Sequence, residues 1–155
     1  RQGGTLITLG SASSFPVGLF PLPVKSIGDS GKLQSPGSLV RVTVEGTHPI
    51  AYGMPADAMA MLRGGRAFES KLVGDDENKS AVRSVVRYAE KDLLASGWLS
   101  GEKEILGKDA VVEVRHGKGA VVLFGFAPQF RGWTFGTFKL LLNSIYLASA
   151  KELDK

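Results

Sequence analysis

The chain has 155 residues, 43% of them apolar, which is enough for one domain with a sizeable core and too little for a second independent one. Its net charge of +4 is spread without a block of Lys and Arg, so neither a nucleic-acid partner nor, with no apolar run of roughly 18 residues, a membrane partner is expected. The lack of cysteine excludes disulfides, thiolate metal sites and a Cys nucleophile, and it leaves the redox compartment open.

Gly3-Gly4 followed by the apolar residues 5–9 reads as a glycine stop after a helix feeding a buried strand, with Arg1 and Gln2 as the tail of that helix. On this reading the chain is the C-terminal part of a larger α/β unit, and any leader peptide belongs to a longer parent. Residues 10–38 are dense in Ser, Gly and Pro, which predicts a long loop. Residues 39–44 alternate apolar and polar and predict a strand with one apolar face. Pro55 at a first turn, followed by Ala56, Met59, Ala60 and Met61, predicts a short helix over 55–62. A polar loop over 69–80, holding Asp75-Asp76-Glu77, leads to a β-branched strand over 82–88. A short strand over 93–99 and a polar connection over 101–109 come next.

The stretch from Ala110 to Ala148 is the most informative. Residues 111–115 and 121–126 predict two strands joined at Gly117-Lys118-Gly119, the second apolar enough to be covered on both faces. From Phe135 the apolar positions Phe138, Leu141, Leu142 and Ile145 then recur at helical spacing and predict a terminal helix.

Several short motifs combine into one pattern: Gly3-Gly4-Thr5-Leu6-Ile7, Pro36-Gly37-Ser38-Leu39, Thr47-His48-Pro49-Ile50-Ala51-Tyr52-Gly53-Met54-Pro55, Arg87-Tyr88-Ala89, Ser96-Gly97-Trp98-Leu99 and Phe126-Ala127-Pro128-Gln129-Phe130-Arg131-Gly132. In order and spacing they resemble the C-terminal glutamine-amidotransferase-like domain of bacterial zinc carboxypeptidases of the carboxypeptidase A superfamily. The resemblance implies a single α/β domain over 1–155, the later part of a flavodoxin-like layered fold of the class I amidotransferase type. That fold would have a largely parallel sheet, a C-terminal β-hairpin and a terminal helix. It implies a secreted or periplasmic parent whose own catalytic domain holds zinc and hydrolyses peptides, with the rest of that polypeptide as this domain's partner.

The chemistry of the chain departs from both enzyme classes. A catalytic zinc needs three protein ligands, supplied in these peptidases by a His-x-x-Glu pair and a distant His. Here His48 is followed by Pro-Ile-Ala and His116 by Gly-Lys-Gly, and the Cys of a working amidotransferase is missing. The chain is therefore expected to be non-catalytic and to hold no cofactor. His48 before Pro49 is expected to set a turn by hydrogen bonding, and His116 to be a solvated hairpin residue. Residues 101–109 lack the hydroxyl that a P-loop places after its Lys, and Ser11, Ser13 and Ser14 lack the surroundings of a nucleophile elbow.

Three functional readings remain. The first is an accessory module for packing, assembly or binding. The second is a small-anion or nucleotide site on the loop 131–137, where Arg131 and Gly132 precede Thr134 as helix cap and free N–H groups face outward. The charge pattern favours it in part, since Arg115, Lys118, Arg131 and Lys139 fall in a stretch, 114–151, without Asp or Glu. The third sets His48 or His116 beside a carboxylate such as Glu113 as a degenerate active centre. A bare edge or an uncovered face at the strand 5–9 or its neighbour also predicts homo-oligomers.

Overall fold

The two β-rich runs form the best-buried strands of the molecule, β8 (Asp109–His116) and β9 (Gly119–Phe124). The structure, a computed structural model, describes residues 3–28, 30–70 and 82–150. Earlier in the chain lie β1 (Thr5–Leu9), a 3-10 turn (Gly10–Ser13), α1 (Ser14–Leu19), β2 (Val24–Ile27) and β3 (Ser38–Val44). A 3-10 turn (Pro49–Ala51), β4 (Asp57–Leu62), β5 (Ala67–Ser70), β6 (Val82–Tyr88) and β7 (Leu94–Ser96) follow, with a 3-10 turn (Glu102–Glu104) before β8. After β9 come 3-10 turns at Phe130–Gly132 and Phe135–Thr137, then α2 (Phe138–Ala150).

The main path through the sheet is β1-β9-β8-β6-β3-β4, with β5 joining β8 to β2 and β7 lying against β3. Among the described residues only β1 and β9 run parallel; every other pair is antiparallel. The expected largely parallel sheet is thus corrected to a mixed, mostly antiparallel one. The reason is connection length: a parallel crossover needs a dozen or more residues, whereas β8 and β9 are joined through a two-residue turn. In that turn Gly117 has φ +61°, the positive value that a type II′ hairpin requires at its first central position.

Two apolar clusters, one on each face, hold the sheet. Val112, Val114, Val121 and Leu123 point toward Leu22, Val24 and Phe68, with Val17 of α1 and Phe20 packed on them. The opposite face carries Val40, Val42, Tyr88, Val111, Val122 and Phe124, and is covered by Leu140 of α2 and by Ile50. Burial on both faces is what the near-continuous apolar runs of β8 and β9 encode.

Two further expectations fail. Residues 10–38 are not a long loop but hold α1 and β2; Ser13, fully buried, donates to the carbonyl of Phe124 at 2.8 Å and ties the turn after β1 to β9. Residues 57–62 form β4 rather than a helix. The Ala and Met preference for helix yields to a six-pair register with β3, from Ser38↔Leu62 to Thr43↔Asp57, in which Ala60 and Leu62 are buried and Asp57 and Met59 exposed. The terminal helix exists, with Leu140 and Ser144 as its buried face and Leu142 and Ile145 pointing outward. The helix expected at Arg1 and Gln2, and the Asp75-Asp76-Glu77 part of the polar loop, lie outside the described residues. Among the described residues no helix is long and apolar enough to cross a membrane.

Candidate functional site

Glu113 lies on β8 between Val112 and Val114, so the period of two turns its side chain to the face opposite those valines. On that face Arg83 of β6 stands directly across from it in the register. His48 approaches from the turn after β3. That turn is prepared locally: the Glu45 carboxylate accepts hydrogen bonds from Thr47 Oγ1 at 2.7 Å and from the Thr47 amide at 3.3 Å. These two bonds hold the Glu45 pKa below the usual carboxylate value. Pro49 then starts the 3-10 turn that His48 caps.

The His48 ring is 2% exposed. Its Nδ1 accepts a hydrogen bond from the Ile50 amide at 3.2 Å, which bears out the turn-setting role read from the His-Pro dipeptide. With Nδ1 accepting, the neutral ring carries its proton on Nε2. Nε2 lies 3.3 Å from Glu113 Oε2, close enough for an ion pair yet not aligned as a hydrogen bond. Arg83 lies 3.9 Å from the same oxygen. The fold thus brings together His48 and Glu113, two residues named for the third reading.

Their geometry is unlike that of a general base. In a catalytic triad the carboxylate holds one imidazole nitrogen while the other faces the nucleophile. Here one nitrogen faces a backbone amide and the other the carboxylate, so neither is turned toward a reacting group. What the pair does is orient: it fixes Glu113, and through it Arg83. His116 takes no part, because as the last residue of β8 it points to the opposite face, its ring 5.2 Å from that of Phe20.

Above His48 and Glu113 opens a cleft of about 390 Å³. Arg83, Arg115 and Lys118 line it on the sheet side, and Leu147 and Ala148 in the last turn of α2 line it as well. Among the described residues no group of three or more His, Cys, Asp or Glu could hold a metal ion.

The residues expected to bind an anion sit elsewhere, past the C-terminal end of β9. Arg131 adopts a left-handed conformation, φ +47° and ψ +30°, and its guanidinium lies 5.5 Å from the centre of the Phe130 ring. Arg63, which follows β4, reaches the same ring at 5.7 Å. Sequence reading missed Arg63, since only the fold sets it beside Arg131. Gly132 follows in the same turn with φ +74°. Thr134 is placed otherwise than expected: its hydroxyl donates to the Met59 carbonyl at 2.8 Å and makes no cap bond to the helix start. The basic stretch also divides, with Arg115 and Lys118 in the cleft and Lys139 donating to the Gly53 carbonyl at 2.7 Å. Ser14 donates to the Ser11 carbonyl at 2.7 Å, a structural bond within the turn.

Comparison of the chain with protein-family models finds no match, and comparison with curated proteins finds none either.

Proposed function

We propose that the chain is a non-catalytic accessory domain, a packing and assembly module of a bacterial zinc-carboxypeptidase-like protein. The order of motifs described above supports the parent. The parallel β1–β9 pair, with α1 and α2 on opposite faces, supports a flavodoxin-like core onto which the antiparallel strands are built. The observation that carries the assembly role is the edge at β1, which among the described residues pairs with β9 alone. Its five residues, Thr-Leu-Ile-Thr-Leu, contain no charge and no proline, yet they are only partly buried, whereas the paired strand β9 is buried almost throughout. An apolar strand left at an edge is a site for pairing with further backbone. Peptidase activity belongs, on this reading, to the parent alone. Incubating the purified chain with zinc and peptides is expected to release no C-terminal residues; chelator-sensitive release would overturn the assignment.

A second reading is a small-anion or nucleotide site at the loop 131–137, favoured by the gathering of Arg63 and Arg131 on Phe130. Millimolar phosphate is then expected to raise the unfolding midpoint of the wild type more than that of Arg131→Ala. An equal rise in both counts against the site.

A further inference from the structure

We infer that the cleft between the β8–β9 turn and the end of α2 binds a small organic anion, a carboxylate or phosphate carried on an apolar body. The site is independent of the assembly role. The first argument is charge. Glu113 and Arg115 are two apart on β8 and Arg83 faces Glu113 across β6, so all three side chains share one face of the sheet. Lys118 joins them from the turn, giving three cations around one carboxylate. Among the described residues, Arg115 and Lys118 have no carboxylate within ion-pair distance. Their charge is open to a ligand.

The second argument is preorganisation. A sequence of contacts runs from the Ile50 amide through buried His48 and Glu113 and on to the half-exposed Arg83. It holds one guanidinium in place before any ligand arrives, which lowers the ordering cost of binding. The turn bearing Lys118 is fixed as well. A Cβ on Gly119 would come within 2.5 Å of the Gly4 carbonyl, so the hairpin end and the start of β1 meet at a contact that only glycine permits.

The third argument is the shape and polarity of the walls. A volume of about 390 Å³ is that of a site for a small molecule. Among the described residues, the apolar part of the lining comes from Leu147 and Ala148 of α2, apart from the cations. An anionic head is therefore directed to Arg115 and Lys118, and an apolar tail to α2.

Hexanoate, hexyl phosphate and hexylammonium share one tail and differ in the head, so together they test the assignment. Each is titrated into the isotope-labelled chain at constant ionic strength while amide shifts are followed. Expected are saturable shifts at Gly117, Gly119 and Ala120 with one or both anions and none with the ammonium, the stronger anion identifying the head group. The double variant Arg115→Gln, Lys118→Gln is expected to weaken binding roughly tenfold or more, while Arg131→Gln leaves it unchanged. No saturable shift below about 50 mM, an affinity that even an eight-heavy-atom ligand of ordinary efficiency should exceed, overturns the proposal. So does an equal response in the double variant, or a response confined to Gly132. None of these outcomes bears on the association state, so failure here leaves the assembly reading to its own test.

Discussion

Tyr88 ties the core under α2 to the backbone just before β5. It is 1% exposed, packs in the cluster under α2, and its hydroxyl donates to the Arg66 carbonyl at 2.8 Å. Burial pushes its pKa well above the ordinary tyrosine value. The sign follows: above about pH 10 the unfolded tyrosine gives up its proton while the native one keeps it, so stability falls as pH rises. Tyr52 and Tyr146 are 80% and 72% exposed and lack this burial. Tyr88→Phe is expected to cost about 0.5–1.5 kcal/mol at neutral pH through the lost hydrogen bond, yet to lose stability less steeply between about pH 9 and 11. Urea unfolding across that range checks it, and parallel curves for the two proteins would refute the link. His48 gives a second prediction at this scale. Without its ring, the Ile50 amide and Glu113 both lose a buried contact, so His48→Ala should cost about 1–3 kcal/mol. Asn at the same position keeps an acceptor for the Ile50 amide but is too short to reach Glu113, so His48→Asn should recover about 1 kcal/mol of that loss. If Asn is no better than Ala in denaturant melts, the turn is not held by the Nδ1 bond.

At the level of elements, α2 separates what packs from what is merely apolar. Leu140 and Leu142 are two residues apart, one fully buried and the other 48% exposed. Leu140→Ala should cost about 2–5 kcal/mol and Leu142→Ala about 0.5 kcal/mol or less, measured by chemical denaturation; similar losses would mean that the outer face is covered. The same helix shows how far the sequence could be read. Its existence was legible from periodicity, but Phe138, Leu142 and Ile145 repeat as regularly as the buried set, and a helix apolar on both sides does not reveal which side meets the sheet. Strands β3, β6, β8 and β9 were legible because β-branched residues and alternation agree there with the final pairing. β4 was not, since Ala and Met favour helix locally and only the register with β3 decides against it. The cleft was half-legible. His-Pro announced a turn, and Glu113 was named as a carboxylate to set beside a histidine, but the contact depends on β6 and β8 pairing, which no local pattern encodes. Arg63 beside Arg131 carried no local signal.

Across the whole molecule, the sheet ends differently on its two sides. At one end β4 closes the path with Asp57 exposed at its start, a charge of the kind that blunts an edge. At the other end β1 presents an uncharged edge, with Leu6 38% exposed. The layers beside the sheet are apolar as well: Phe15 and Leu19 of α1 are 65% and 58% exposed, and Ile145 and Tyr146 of α2 are 49% and 72% exposed. Exposed apolar side chains of this kind, like an uncharged edge strand, favour contact with further protein. A second copy of the chain, pairing β1 with β1, would satisfy the open backbone groups of that edge. Light scattering between about 10 and 200 µM, a range in which micromolar pairing is visible, is expected to show mass rising toward a dimer. Leu6→Lys places a charge on the edge strand and should hold the chain as a monomer, at a stability cost of about 1 kcal/mol because Leu6 is only partly exposed. A wild type that stays monodisperse and monomeric throughout would sink pairing between copies.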